Sequence, residues 1–430
     1  MARSGTVRTR LTHSIEVSNY GELIAEMLAN ELILDGSLAP DLRFSFVKTV
    51  ENACLLHDIG NPPFGHMGEY AIQQWFRRNK NALKKRWVGF NRMTGSVAKH
   101  HLDAYSNFDG NPHGFRIITR LQWLSDEFGM NLTCSLLGSY LKYLGEKPNN
   151  QKFHKKIGYF PTERDVVKLV WRKLGLLVGN DGLPSQRHPL VFLMEASDDI
   201  AFCLSDIEDA LEKKVITEDE VISWMESAKS GDLLAEALKQ AKEIEIKRPG
   251  SLAKYGRYHL FRLELSRYLV RCAVDAYKQN EEKILTGSMK ESLLGTNAEA
   301  TRLLELLKEF CSMKVYTSRE AIDTELAGLR AITGLLDAYR PLMLLTTEEF
   351  RSLRKKDNKG LKKYPILSLL YSLLPAKHRL AYDWFCEPPN GLLEPIYRTQ
   401  LVVDYVSGMT DGYVLKIFNM INGTQHFDIE

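Results

Sequence analysis

Cys54-Leu55-Leu56-His57-Asp58-Ile59-Gly60-Asn61-Pro62-Pro63-Phe64-Gly65-His66-Met67-Gly68-Glu69-Tyr70 is the stretch around which the chain is organised. An apolar helical run ends in adjacent His57 and Asp58, a Gly/Asn/Pro break follows, and His66 and Glu69 open a second helix. Ionisable groups are thereby gathered at one corner, a costly arrangement unless something is bound there. A neutral imidazole beside a carboxylate, open to ligands from other helices, offers the mixed nitrogen and oxygen donors of a divalent-cation site. Two distant stretches can complete it: His13 in Arg10-Leu11-Thr12-His13-Ser14-Ile15-Glu16, and Asp198 in Leu193-Met194-Glu195-Ala196-Ser197-Asp198-Asp199-Ile200. Three separate helices then supply two imidazoles and two carboxylates: His13, His57, Asp58 and Asp198.

Outward from the corner, Thr12 or Ser14 can cap a helix whose apolar residues Ile15, Val17, Tyr20, Leu23, Ile24, Met27 and Leu28 share one face. The run Asp41 to Leu56 predicts the helix that ends at the corner. Apolar spacing predicts further helices over Phe115 to Phe128, Leu132 to Leu144, Asp165 to Leu177, Pro189 to Lys213, Glu218 to Ile246, Leu252 to Gln279, Ser318 to Tyr339 and Leu393 to Phe418. Asn107 to Arg116 and Gly179 to Arg187 read as a loop and a linker, because turn formers cluster there. Strand signals are few and no internal repeat is found, so the fold class is all-α. Residues 1–215 are expected to form the core that carries the metal site. Residues 216–430 are expected to be a helical C-terminal region packing on that core and contributing to oligomer contacts.

The bulk composition narrows the class. Hydrophobic residues at 44% with 26% charged are ordinary for a globular chain and argue against disorder. A net charge of +3 over 430 residues gives no global reason to bind nucleic acid. Locally, Arg77, Arg78, Lys80, Lys84, Lys85 and Arg86 come with no acidic neighbour and are flanked by Trp75, Phe76, Trp87 and Phe90. Such a stretch suits a single-stranded DNA effector, with bases stacking on the rings; equally it suits a solvated face with its aromatics turned inward. A second basic stretch is Arg351 to Lys363. The six cysteines are scattered without a CxxC pair, which reads as thiols of a reducing compartment. No run approaches about 18 consecutive apolar residues, and a cytoplasmic location is expected.

The ordered set His13, His57-Asp58, Asp198 is far more specific than a lone His-Asp pair. With the whole His57 to Glu69 segment, Phe108-x-Gly110-Asn111, Gly158-Tyr159-Phe160, Glu195 to Ile200 and Asp404-Tyr405-Val406-Ser407-Gly408-Met409-Thr410-Asp411, the chain resembles the HD-domain phosphohydrolases. Within them it is similar to the deoxyguanosinetriphosphate triphosphohydrolase family. That resemblance implies an HD-domain helical core with additional C-terminal helices packed on it. It implies metal-dependent hydrolysis of deoxynucleoside triphosphates, dGTP favoured, to deoxynucleoside and triphosphate. One Mg²⁺ or Mn²⁺ ion per site, held by His13, His57, Asp58 and Asp198, is the implied cofactor. His66 and Glu69 are the implied catalytic pair, and a homo-oligomer, a hexamer by the resemblance, the implied assembly.

For the substrate, Arg10 lies one helical turn before His13 and can reach phosphates with two nitrogens. By resemblance Asn111, Lys142, Tyr143 and Lys156 face the substrate, Phe202 packs on the deoxyribose, and Asp206 accepts from its 3′ hydroxyl. Three departures stand out. Phe202 occupies a position that is usually Tyr, so a steric gate against a 2′ hydroxyl survives without the phenol oxygen. Pro112-His113 replaces a common Ala-Gln. The dozen residues before His13 stand where the family carries a further segment that helps hold sugar and base, so the expectation is that this form does without it or takes those contacts from another subunit. Alternatives stay open: His100-His101 would extend the set to the order used by two-metal phosphodiesterases, another HD phosphohydrolase could act on monophosphates or cyclic nucleotides, and a nucleotide or single-stranded DNA sensor could retain residual activity.

Overall fold

Thr9 starts the first helix, its side chain accepting from the Thr12 amide while the Thr12 hydroxyl accepts from the Thr9 amide. The cap expected at Thr12 or Ser14 therefore lies earlier, which puts Arg10 in the first turn and His13 one turn on. The computed structural model describes residues 9–91, 93–123, 126–148, 155–227, 256–354, 363–386 and 390–424. Among them there are eighteen α-helices and no strand, as the all-α reading requires. A lone antiparallel bridge, Val178 to Pro184, makes the expected linker a closed turn.

Helix α1 (Arg10–Leu34) packs on α2 (Arg43–Leu56), which leads through the His57 corner into α3 (Gly65–Asn91). Helix α4 (Gly95–Ser106) lies on α3. The stretch read as a loop contains α5 (Gly110–Arg116), because Asp109 caps it by accepting from the Asn111 amide at 3.0 Å. Pro112 sits in the first turn, where a missing N–H costs nothing. Five residues of wider π winding (Ile117–Leu121) end that helix, so the one expected over Phe115 to Phe128 is shorter and begins earlier. Helix α6 (Cys134–Tyr140) stops before Leu141, whose ψ of 89° turns the chain outward. Lys142 and Tyr143 thus stand beyond the helix rather than within it.

Gly175, at φ 66°, terminates α7 (Arg164–Leu174). Next come α8 (Val191–Glu212), α9 (Glu218–Ser227), α10 (Gly256–Gln279), α11 (Glu281–Leu285), α12 (Ala298–Phe310) and α13 (Arg319–Met343). The last five are α14 (Thr347–Arg354), α15 (Pro365–Leu373), α16 (Ala376–Phe385), α17 (Glu394–Ser407) and α18 (Asp411–Ile421). The single helix expected over Leu393 to Phe418 is two, because Thr410 caps α18 afresh. Residues 149–154, the expected helix beyond 227, and 355–362 of the basic stretch lie outside the described residues.

Apolar packing forms two large clusters. One unites α1, α2, α6, α8, α10 and α12; the other unites α3, α4, α13, α17 and α18. The corner between α2 and α3 is where the chain crosses from the first to the second. Phe64 and Gly65 make the crossing with positive φ of 61° and 54°, a backbone that costs a phenylalanine about 1–2 kcal/mol. The Phe64 ring is held against Gly328 of α13, where a methyl group would come within 2.3 Å of it. Trp75, Phe76 and Trp87 are wholly buried in the second cluster, so bases cannot stack on them. That corrects the DNA-stacking reading of the stretch in favour of its inward-facing alternative.

Gly21 sets how closely α1 approaches α2 and α8. A methyl group there would meet Cys54 Sγ at 2.4 Å and Ser197 Oγ at 3.5 Å, and Ser197 precedes Asp198. Alanine normally stabilises a helix interior relative to glycine, but here overpacking outweighs that preference. Gly21→Ala should lower stability by about 1–3 kcal/mol in urea unfolding, and adding Cys54→Ala should restore most of the loss by vacating the clashing atom. An unchanged or raised midpoint for Gly21→Ala would refute this account of the helix junction.

Candidate metal centre and catalytic pair

Because α1, α2 and α8 converge at Gly21, three side chains from three helices meet above it. One ligand atom from each of His13, His57 and Asp198 lies within 4.8 Å of the others, and among the described residues no other His/Cys/Asp/Glu group does this. Asp198 Oδ1 is 3.4 Å from His57 Nε2 and 3.7 Å from His13 Nε2. Asp58, the fourth expected ligand, stands beside the group rather than inside it, its Oδ1 3.6 Å from His57 Nε2.

The orientation of His57 tests whether a cation fits. Its Nδ1 lies 2.6 Å from the Cys54 carbonyl, which can only accept, so Nδ1 carries the proton and the neutral ring presents a lone pair at Nε2. Nε2 is buried without a hydrogen bond of good geometry and faces two carboxylates. Lone pair against carboxylate is a repulsive pairing unless a positive charge lies between, and a divalent ion supplies one. Without it a proton must. Burial alone would lower the His57 pKa, but Asp198 and then Asp58 outweigh it and raise it to about 9. Burial opposes the charge on Asp198, yet His57, His13 and Lys142 together hold its pKa well below the usual carboxylate range. The donor set and its wiring therefore fit a divalent cation.

On α3, His66 Nδ1 donates to Glu69 Oε2 at 2.8 Å, as their spacing on one helix face predicts. The two differ in setting: the His66 side chain is 88% exposed and that of Glu69 only 8%. Glu69 Oε1 accepts from the Gly110 amide at 2.7 Å, so the carboxylate is anchored and the ring is not. The hydrogen bond to Glu69 raises the His66 pKa.

Lys142 lies between two carboxylates, 3.8 Å from Glu195 Oε1 and 3.9 Å from Asp198 Oδ2. Burial would lower its pKa, but Glu195 and Asp198 raise it and keep the ammonium charged. Lys156 pairs with Asp109 at 2.6 Å, and burial raises the Tyr143 pKa although Lys142 and Lys156 oppose the rise. Asn111 is tied to Asp109 through its amide side chain at 2.5 Å. Arg10 points elsewhere than expected: its terminal nitrogens donate to the carbonyls of Asn61 and Pro62, both at 2.6 Å, and one also reaches Asp411 at 3.2 Å. It clasps the corner rather than lying open to phosphate. Phe202 is 40% exposed on α8, and Asp206 accepts from the Tyr316 hydroxyl at the edge of a cavity of about 360 Å³ that Thr324 and Glu325 also line.

Sequence reasoning did not single out several participants. Asp109 caps α5 and holds Lys156. Glu195 links Lys142 to buried Arg187. Asp411 accepts from the Phe64 amide at 3.0 Å, pinning the strained residue of the corner. All three lie in or beside quoted motifs, but nothing in a lone carboxylate's letters says which distant base it will meet. His100 pairs with Glu146 at 3.0 Å, and Arg164 holds the same carboxylate; no second ligand group forms around it among the described residues.

Comparisons with known proteins place the chain among relatives. The family model described as "HD domain" matches residues 10–106, the segment that carries His13, His57, Asp58, His66 and Glu69. A protein of Klebsiella pneumoniae subsp. pneumoniae named deoxyguanosinetriphosphate triphosphohydrolase is 33% identical over 96% of this chain and 86% of its own length. One of the same name from Klebsiella pneumoniae strain 342 is similar to the same degree and extent.

The protonation of His57 sets a pH signature for metal uptake. With its pKa near 9 in the metal-free fold, the ring holds an extra proton at pH 7 that an incoming cation must displace. Calorimetric titration with Mn²⁺ at pH 7 in buffers of different ionisation enthalpy should show release of about one proton, with affinity tightening as pH rises toward 9 and levelling above it. Absence of proton release at pH 7 would contradict this wiring.

Proposed function

The chain belongs to the deoxyguanosinetriphosphate triphosphohydrolase family, and from that premise we propose that it hydrolyses dGTP to deoxyguanosine and triphosphate at the site built on His13, His57, Asp58 and Asp198. The observation that carries the reading is the buried His57 Nε2 facing Asp198, an arrangement that suits a divalent cation, with the His66–Glu69 pair at the start of the helix that follows the same corner. Mg²⁺ or Mn²⁺, when bound there, supplies Lewis acidity at the α-phosphate. Among the described residues no helix is long and apolar enough to cross a membrane.

The remaining steps belong to the chain's own groups. Water attacks the α-phosphorus and gives up a proton to solvent, the bond to the 5′ oxygen breaks, and that oxygen takes up a proton. His66 is the donor in this reading, since Glu69 fixes the proton on Nδ1 and leaves Nε2 of the protonated ring free to give one up. The raised pKa keeps the ring in its acid form to higher pH. Glu69 orients the ring and is itself oriented by the Gly110 amide. Lys142 can swing from Glu195 to the incoming phosphates without leaving the field of Asp198. Lys156, Tyr143 and Asn111 are the further groups offered to the phosphates, while Arg10 keeps the corner in shape.

For the nucleoside, Phe202 offers a ring to the deoxyribose face, where a 2′ hydroxyl would lose its hydration against carbon. Asp206 accepts from the 3′ hydroxyl. Beyond Asp206 the cavity bounded by Tyr316, Thr324 and Glu325 is large enough for a purine. The Glu325 carboxylate can accept from two adjacent N–H donors, which guanine presents on its pairing edge and adenine does not. This favours dGTP.

Two experiments test the reading. His66→Ala should lower kcat by about 10²- to 10⁴-fold with Mn²⁺ affinity retained, and Glu69→Gln should move the alkaline limb of the kcat profile to lower pH; normal turnover in His66→Ala, or products other than free triphosphate and deoxynucleoside, would exclude the mechanism. Glu325→Gln should cut kcat/KM for dGTP by about 10- to 100-fold while leaving dATP little changed. An equal loss for both bases would mean that Glu325 does not read guanine.

A further inference from the structure

His113 takes no part in the reaction just described, yet it is buried to 1% exposure between the metal-carrying corner and the C-terminal helices. Its Nδ1 lies 2.9 Å from the Gly60 carbonyl, two residues past Asp58, and its Nε2 lies 3.0 Å from Ser407 Oγ on α17. The Gly60 carbonyl can only accept, so Nδ1 bears the proton and Nε2 is left to accept from the Ser407 hydroxyl. The Val403 carbonyl, 2.6 Å from the same hydroxyl, competes for that proton. Burial lowers the His113 pKa to about 4, although Asp404 and the Gly60 bond oppose the fall, so the ring is neutral at ordinary pH.

The backbone around it leaves little slack. A methyl group on Gly60 would lie 2.0 Å from the Gly114 amide and 2.1 Å from the Gly110 carbonyl, so α5 sits directly on the corner. The Gly110 amide in turn holds Glu69, and Asp411, just beyond Ser407, holds the Phe64 amide. Below His113, Arg116 is paired with Asp404 at 2.9 Å and Glu163 at 2.7 Å, all three buried, which fixes the other end of α5 to α17.

We propose that His113 is a positioning residue: bridging Gly60 to Ser407, it sets the orientation of the His57-Asp58 corner relative to α5, and through it the geometry of the cation site. Its role needs one donor and one acceptor at fixed reach, with no charge. Glutamine meets that need through its amide, whereas leucine fills the space and offers neither group. The effect on catalysis rests on the triphosphohydrolase reading; the effect on the cation does not.

The test uses the full-length protein and Mn²⁺ alone, titrated by electron paramagnetic resonance, with dGTP turnover measured separately. His113→Leu should weaken Mn²⁺ binding by about 10-fold or more and lower kcat with little change in KM. His113→Gln should restore both to within about threefold of wild type. Ser407→Ala, which removes the far bond together with the hydroxyl's local bond to the Val403 carbonyl of α17, should weaken Mn²⁺ about fivefold, and it decides the matter with His113→Gln if the leucine variant does not fold. Unaltered Mn²⁺ affinity in His113→Leu or Ser407→Ala, even with lowered thermal stability, would overturn the proposal, as would failure of glutamine to rescue. Should wild type bind Mn²⁺ but leave dGTP intact, the reaction reading fails while the Mn²⁺ comparison still judges His113.

Discussion

A histidine lone pair and a carboxylate facing each other across 3.4 Å in a buried pocket is the arrangement on which the molecule turns. Neither group can retreat: His57 is tied at its other nitrogen to the Cys54 carbonyl, and Asp198 sits on a helix anchored on both sides of it by buried residues, Ala196 and Ser197 before it and Ile200 and Ala201 after it. The repulsion between them must be relieved by a proton or a cation, and relief by a divalent ion is what fits the mixed donor set. To bring those groups so close, α1, α2 and α8 must nearly touch, and that contact depends on a glycine at position 21 and on small side chains at Cys54 and Ser197.

The second demand is to hold an irregular corner still. His57 to Gly65 passes between two apolar clusters and contains a phenylalanine in a left-handed conformation, so it is not stable by its own local preferences. The compensation comes from far away in sequence. Asp411 and Arg10 close on one flank, Gly328 seats the Phe64 ring, and α5 presses on Gly60. The C-terminal helices are thus more than a cover: α13 and α18 touch the corner and α17 reaches it through His113.

Much of this could be read from letters alone. The meeting of His13, His57 and Asp198 was legible because residue types that bind metals stand at helix ends and faces, and the His66–Glu69 contact because a three-residue helical spacing fixes a shared face. What could not be read were relations set by tertiary packing. Asn107 to Arg116 looks like a loop because its composition favours turns, yet Asp109 caps it into a helix docked on the corner. Trp75, Phe76 and Trp87 beside the basic run on α3 face inward into a core shared with α13, which the local sequence does not reveal. Arg10 has the right spacing for a phosphate ligand, but the carbonyls of Asn61 and Pro62 turn toward it and claim its donors.

The proposed catalytic pair is divided between solvent and core. His66 lies almost wholly in solvent while its partner Glu69 is buried. After a turnover the imidazole can be recharged directly from bulk water or buffer, with no internal wire of donors to refill it. The proton on His66 is thus exchanged directly with solvent, and in the proposed reaction the substrate itself must form the wall that shuts the ring off during the moment of transfer.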